Sequence, residues 1–423
     1  MIVNENGNEF KAWPPSEETI RCPFAYFDEA RRRAPILKFS DRNAFGRSMY
    51  LVTGHAECSE ILLRHAEFTS DLSDVMPGFD KSAVPFPFPD EPAFHEIPVV
   101  FFSDGEDHKV KRKWSMPLVK RSRVDSFRPG IERQVRKIIG TFSDRGTCDF
   151  RKEFSDILPI HVLQEILDLP EEAFAIIKRL SQAIAETDVN PEASPEKLRE
   201  KDAAFKALFQ MNRALIESRF HNPGADYISD LVKLQCEQDG ALDVNSLSIH
   251  LQGILFGGDH AVGAHLAHLV VALCENRELQ DELRTNSGKI AAFVKETLRL
   301  EAPVPWLFRK CAIDAKVGQF TIEAGAVVMV ATAAANRDPS RFVEPSEFSP
   351  DRSNLGADLL SFGKGVHRCI GEPLAYVIAE TMIRVMLETM ANISLDQEAS
   401  DVAPAHSFQF RCPEKVVLNF ESV

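Results

Sequence analysis

The chain reads as mainly α-helical with small β-sheets, and three observations carry that expectation. Most long segments repeat apolar residues at helical spacing, only four short segments look extended, and one stretch of about 30 residues is proline-free and apolar nearly all round. The expected strands are ILKFS (36–40), SMYLV (48–52), FTIEAGAVVMVA (320–331) and EKVVLNF (414–420). At 423 residues, with 44% hydrophobic and 26% charged, the chain can bury a large core, and its length allows one to three domains.

Composition also excludes classes of function. A net charge of -14 argues against nucleic acid as a general partner, because phosphate binding needs a positive footprint. The eight cysteines are scattered without a CxxC, so neither a disulfide framework nor a zinc ribbon is indicated. The first 24 residues hold neither the apolar run of a signal peptide nor a membrane span, so a cytoplasmic protein with no membrane partner is expected.

Taken in order, the first irregular stretch is residues 75–98, with six prolines and four phenylalanines in 24 residues. Proline at that density excludes helix interior and central strand alike. A linker is normally polar, whereas Phe79, Phe86, Phe88 and Phe94 suit a loop folded over an apolar cavity. In SDGEDHKVKRKW, His108 and Arg112 are four apart on a basic helix face. Residues 245–276 predict one buried helix of about nine turns. Its adjacent Gly257 and Gly258 cost roughly 2 kcal/mol against alanine, which implies either close helix packing or a helix opened to let something approach its backbone. His260, His265 and His268 follow, but no carboxylate or cysteine completes a metal set at ligand spacing, so they read as core or rim histidines. Glu296 and Arg299, three apart, are neighbours on a further helix face.

The stretch FGKGVHRCIGEPLA (362–375) then places Cys369 among Gly363, Gly365 and Gly371, immediately before a helical pattern. It fails as a phosphate loop, because Arg368 stands where GxGxxG needs its last glycine and no GK[ST] occurs. His367 is adjacent in sequence and badly directed to serve as base for a nucleophile. An axial metal ligand makes better chemical sense. The glycines permit tight turns and close approach of a flat cofactor, and the following helix points its positive end at the sulfur, favouring thiolate.

At this point the chain resembles the cytochrome P450 family. The signature FGxGxHxCxG is matched by Phe362, Gly363, Gly365, His367, Cys369 and Gly371, and the ExxR pair Glu296/Arg299 lies 73 residues earlier, in the family's order. PVPWLFR places Arg309 at the family's haem-propionate arginine, His108 and Arg112 match its HxxxR propionate pair, and GGDH lies in its oxygen-binding helix. NRDP (336–339) and EFSPDR (347–352) resemble the meander before the cysteine loop.

The resemblance runs from about residue 22 to the end. It implies an N-terminal extension (1–21) and one P450 domain (22–423), with haem b (iron protoporphyrin IX) between a long central helix and the cysteine loop. Cys369 would be the iron ligand, with Phe362, Gly363 and His367 around it and Gly258 at a kink over the iron. Glu296 and Arg299 would be structural. The activity implied is insertion of one oxygen atom from O2 into an apolar small molecule. Two NAD(P)H electrons would arrive through a separate ferredoxin and ferredoxin reductase. Lys364 and Arg368, with Lys109, Lys111, Arg112 and Lys113, offer a positive patch for an acidic ferredoxin.

Two departures stand out. The family's [AG]GxxT, with an acid before the threonine, supplies the acid and alcohol that carry protons to dioxygen. Here the positions after Gly258 hold Asp259, His260, Ala261 and Val262. The alcohol is missing, the acid position is histidine, and His260 is the expected proton relay, oriented by Asp259 or aided by a polar group on the substrate. The alternative is a peroxide-driven or non-oxygenating P450. In the meander, Glu347 precedes Phe348 where the family often has arginine, which leaves Arg352 to complete the Glu296/Arg299 network. By family position the pocket walls are Phe86, Phe88, Phe256, Ala261, Val304, Trp306 and Phe408, with His95, His260 or Arg411 available to anchor a polar substituent.

Overall fold

A computed structural model describes residues 2–3, 9–10, 16–39, 46–72, 74–75, 99–187, 194–405, 407 and 409–423. Phe79, Phe86, Phe88, Phe94, His95 and Phe408 lie outside the described residues. The chain folds as two compact units, Met1–Lys109 with Leu298–Cys369, and Val110–Thr297 with Ile370–Val423.

The first unit opens with a short antiparallel pair, β1 (Ile2–Val3) and β2 (Glu9–Phe10), then α1 (Glu17–Arg21) and α2 (Phe24–Arg33). β3 (Ile36–Phe39) and β4 (Met49–Val52) follow, then α3 (His55–Leu63) and β5 (Phe68–Thr69). The chain crosses to the second unit along α4 (Gly105–Val119), continuing through α5 (Arg121–Ile139), β6 (Thr147–Asp149), a π-helical turn at Arg151–Ser155, α6 (Leu158–Leu167) and α7 (Ala173–Thr187). Next come α8 (Pro195–His221), α9 (Tyr227–Asp239), α10 (Val244–Gly257), α11 (His260–Glu275), α12 (Arg277–Thr285) and α13 (Ile290–Leu300), along which the chain returns. β7 (Leu307–Cys311), β8 (Ala315–Val317), β9 (Phe320–Ile322), β10 (Val327–Val330), α14 (Thr332–Ala335) and α15 (Leu355–Asp358) complete the first unit. α16 (Glu372–Thr389), β11 (Met390–Leu395), β12 (Asp401–Pro404), β13 (Pro413–Lys415) and β14 (Val417–Ser422) complete the second.

In the first unit a five-stranded sheet runs β3-β4-β10-β7-β5. β4 and β10 pair in parallel, Val327 opposite Met49, and every residue of both strands is buried. Continuous burial is why MYLV and VVMV are apolar runs and not alternating patterns. Val52, Ile61, Phe68, Cys311, Val328 and Leu360 form the core against this sheet. The single expected strand at 320–331 is two, β9 and β10, because Ala324-Gly325 turns the chain with Gly325 at φ +80°.

In the second unit α5 packs on α16, and the sheet is β11-β14-β6. The expected nine-turn helix is two helices. Asp243 caps α10 by accepting from the amides of Asn245 and Ser246, and α10 ends at Gly257 before α11 starts at His260. The two glycines have different reasons. A Cβ on Gly258 would lie 3.1 Å from Leu163 of α6, whereas one on Gly257 would meet nothing within 4 Å. Close packing therefore explains Gly258, and the opened helix lies at the same point.

Candidate functional site

The first unit holds the cysteine loop. Gly363 and Gly365 have φ of +68° and +75°, which side-chain-bearing residues rarely adopt. A Cβ on Gly365 would also sit 2.7 Å from the Leu62 carbonyl oxygen. Gly371 differs from expectation: at φ -76° it is an ordinary helical residue capping α16, so no left-handed turn requires it. The Cys369 amide donates to the Phe362 carbonyl at 2.8 Å, closing the loop, and the Cys369 side chain is exposed. Phe362, whose carbonyl accepts that bond, is half-buried.

Behind the loop, His367 Nε2 donates to Asp104 Oδ1 at 3.0 Å, and its ring lies 4.1 Å from that of buried His108. Asp104 also accepts from the Ser70 amide at 2.7 Å, the Asp71 amide at 3.1 Å and the Thr69 hydroxyl. Burial disfavours its charge, but the bonds from His367, Thr69 and Ser70 outweigh that and hold the carboxyl down to about 2. Sequence reasoning passed over Asp104; the signal was an aspartate before a glycine at a helix start, a position normally read as a cap.

Arg309 lies on β7, opposite Val328 of β10, and is 7% exposed. Its Nη1 donates to the Phe308 carbonyl at 2.7 Å, and among the described residues no carboxylate forms an ion pair with it. Burial pushes its guanidinium down to about 10, opposed only by the charge of Asp104. A buried cation in this condition calls for an anionic partner.

Glu296 and Arg299 are both wholly buried on α13, one turn apart. Arg299 donates to the carbonyls of Asn336 at 2.9 Å, Pro345 at 2.6 Å and Glu347 at 2.9 Å, and Arg352 donates to that same Glu347 carbonyl at 2.9 Å. The meander is thus held through its backbone, which is why glutamate is tolerated at 347. Trp306 is 4% exposed and meets Phe27 of α2 edge-on at 6.2 Å. Val304 is half-buried, and its carbonyl accepts from Thr332.

The second unit holds the broken helix. His260 Nε2 donates to the Ser181 carbonyl of α7 at 2.7 Å, and the Ser181 hydroxyl donates to Asp259. The His260 ring stacks on Phe410 at 5.4 Å and 27°, and Phe256 meets Phe410 edge-on at 6.2 Å. Ala261 is half-buried on the next position. Burial pushes the Asp259 carboxyl above the usual range; His260, Ser181 and Lys178 oppose the rise and Asp156 adds to it. Neither Ser181 nor Phe410 carried a signal in sequence, because each is placed by packing between distant segments. Arg112 lies half-buried on α4, one turn after His108. Lys111 corrects the expected surface patch: it is 6% exposed and turned inward, leaving Lys109 and Lys113 as the exposed lysines of that run. Arg411 is likewise buried. His265 and His268 are core residues of α11, His268 donating to the Arg411 carbonyl at 3.2 Å.

A glycine-lined loop presenting one exposed thiol, with a buried guanidinium in the same unit that forms no ion pair among the described residues, suits an anionic, flat metallocofactor. Comparison with known proteins agrees. The family model described as Cytochrome P450 matches residues 192–392, which include Glu296, Arg299, Arg309 and Cys369. The 6-deoxyerythronolide B hydroxylase of Saccharopolyspora erythraea is 28% identical, over 91% of this chain and 93% of that one. Pulcherriminic acid synthase of Bacillus subtilis is 25% identical over 90% and 92%. Among solved structures, cytochrome P450 CYP109Q5 of Chondromyces apiculatus superposes with a TM-score of 0.82 at 23% identity, covering 96% of this chain and 97% of that. P450BioI bound to a hexadecenoic-acid-ligated acyl carrier protein gives 0.82 at 24% identity, covering 96% and 99%. The family model, the curated relatives and the solved neighbours together support a bacterial cytochrome P450. The chain is a monooxygenase with haem b as cofactor, and NAD(P)H supplies electrons indirectly, through a redox partner.

Proposed function

We propose that this monooxygenase hydroxylates an apolar small molecule with O2, using two electrons that a separate ferredoxin and ferredoxin reductase carry from NAD(P)H. One oxygen atom enters a C–H bond and the other leaves as water, with NAD(P)H oxidised and one proton consumed. Haem bound there would supply the oxygen chemistry, and a cysteine thiolate on its iron would favour O–O cleavage. Cys369 provides that thiolate on the loop shaped by Gly363 and Gly365. Arg309, His108, Arg112 and His367 would hold the propionates, and the observation that carries this reading is the buried Arg309, which forms no ion pair with a carboxylate among the described residues.

His260 takes the place of the missing helix acid, with Asp259 beside it and Ala261 where the alcohol would be. Phe256, Ala261 and Val304 contribute apolar wall, which suits a hydrophobic substrate. The hydroxylase name of a 28% identical relative supports the O2-dependent reading over a peroxide-driven or non-oxygenating one. Exposed Arg368, Lys109 and Lys113, with half-buried Lys364, suit docking of an acidic ferredoxin.

The test is a titration of the ferric protein with a panel of apolar compounds, following the Soret band, then turnover of the best binder with a ferredoxin system. A saturable shift and NAD(P)H-dependent product are expected. Product with peroxide and none with NAD(P)H would overturn the reading. His260→Ala is expected to lower product per NAD(P)H about 10-fold or more, the size of one general acid–base contribution; unchanged coupling removes His260 from the proton path.

A further inference from the structure

We propose that Ser181 is the positioning residue that joins Asp259 and His260 into one proton-handling unit in place of the hydroxyl missing at Ala261. The proposal rests on the reading of His260 as proton carrier.

Ser181 uses both of its polar groups on the break between α10 and α11. Its carbonyl takes the His260 Nε2–H at 2.7 Å, and its hydroxyl donates to Asp259. A carbonyl only accepts, so the neutral His260 ring carries its hydrogen on Nε2 and leaves Nδ1 to take up and release a proton. Phe410, stacked on the ring, keeps that orientation. Residues 259 and 260 are adjacent and do not face each other on a helix. They are coupled because one serine reaches both.

The electrostatics agree. Asp259 is 5% exposed, and burial resists a lone negative charge there. The charged groups facing it are His260 on its own helix, Lys178 on α7 and Asp156 after the π-helical turn; Asp156 is itself raised by burial, against the pull of Arg151. Asp156 reaches this cluster because Gly263 of α11 lets the Ser155 backbone approach: a Cβ there would be 2.7 Å from the Ser155 oxygen and 4.0 Å from Asp156 Oδ1. With two carboxyls together and one hydroxyl donor, the Ser181 bond favours ionised Asp259, the state that stabilises a proton on His260 Nδ1.

The experiment uses the haem-loaded protein in its diamagnetic ferrous carbon-monoxide form, labelled with 13C-carboxyl aspartate and 15N-histidine. The Asp259 and His260 signals are assigned by their loss in Asp259→Asn and His260→Ala. Expected are the Nε2–H tautomer of His260 and an Asp259 midpoint that rises by about half to one pH unit in Ser181→Ala, returning in Ser181→Thr. An Nδ1–H tautomer, or an Asp259 midpoint indifferent to Ser181→Ala, overturns the proposal. If Ser181→Ala does not fold, Ser181→Cys, with a weak donor, serves with the same expected direction. Coupling separates the two readings: Ser181→Ala should lower product per NAD(P)H and Ser181→Thr restore it. A shifted Asp259 midpoint with coupling unchanged in both His260→Ala and Ser181→Ala keeps the serine link and removes the proton-relay role.

Discussion

Asp104 stands directly before α4, where an aspartate ordinarily caps the helix with its side chain. Its carboxylate turns instead to His367 of the cysteine loop and to Thr69, Ser70 and Asp71. One side chain thus gathers β5, the loop after it and the residue two before Cys369. The carboxyl lies below its ordinary 3.8, at about 2, so its stabilisation is complete above the unfolded value and is lost as pH falls from about 4 through about 2. Asp104→Asn is expected to lower stability by about 1–2 kcal/mol at neutral pH, discounted for partial exposure. Urea unfolding of wild type and variant should show the gap narrowing below about pH 4; a gap independent of pH down to 3 would contradict the assignment.

Among the elements, α11 depends on how near the π-helical turn at Arg151–Ser155 can come. Gly263 is the contact, with its would-be Cβ 2.7 Å from the Ser155 carbonyl oxygen, a distance backbone cannot yield without moving. Gly263→Ala is expected to cost about 1–3 kcal/mol by overpacking. Gly257, with open space around it and an ordinary helical backbone, should gain from alanine by up to about 1 kcal/mol of helix propensity. Thermal unfolding of the two variants therefore moves in opposite directions, and equal shifts would mean that helix propensity alone governs this segment.

For the molecule as a whole, acid sensitivity is built into the core of the second unit. His250 contacts the Ser115 and Tyr227 hydroxyls at 3.2 and 3.3 Å, and His265 has neither ring nitrogen paired among the described residues. Burial holds both imidazoles down to about 3, so each stays neutral in the fold while the unfolded chain takes up protons near 6.5. Their contribution is whole above pH 6.5 and falls with pH below it, by at most about 1.4 kcal/mol per unit for each histidine. His265→Leu should flatten this slope and raise the melting temperature at pH 5 more than at pH 8; equal gains at both would show that His265 is not neutral in the fold. The sequence by itself determined the family and the chemistry, because FGKGVHRCIG, ExxR and the GGDH segment are local patterns whose spacing carries their meaning. It also located β3, β4 and β10, whose apolar runs are dictated by burial. Only the tertiary structure decided that Asp104 supports His367, that Lys111 and Trp306 turn inward, and that Ser181 joins Asp259 to His260. Each of those contacts joins segments from about 80 to nearly 280 residues apart or depends on which face of an element is covered, and no local spacing encodes that.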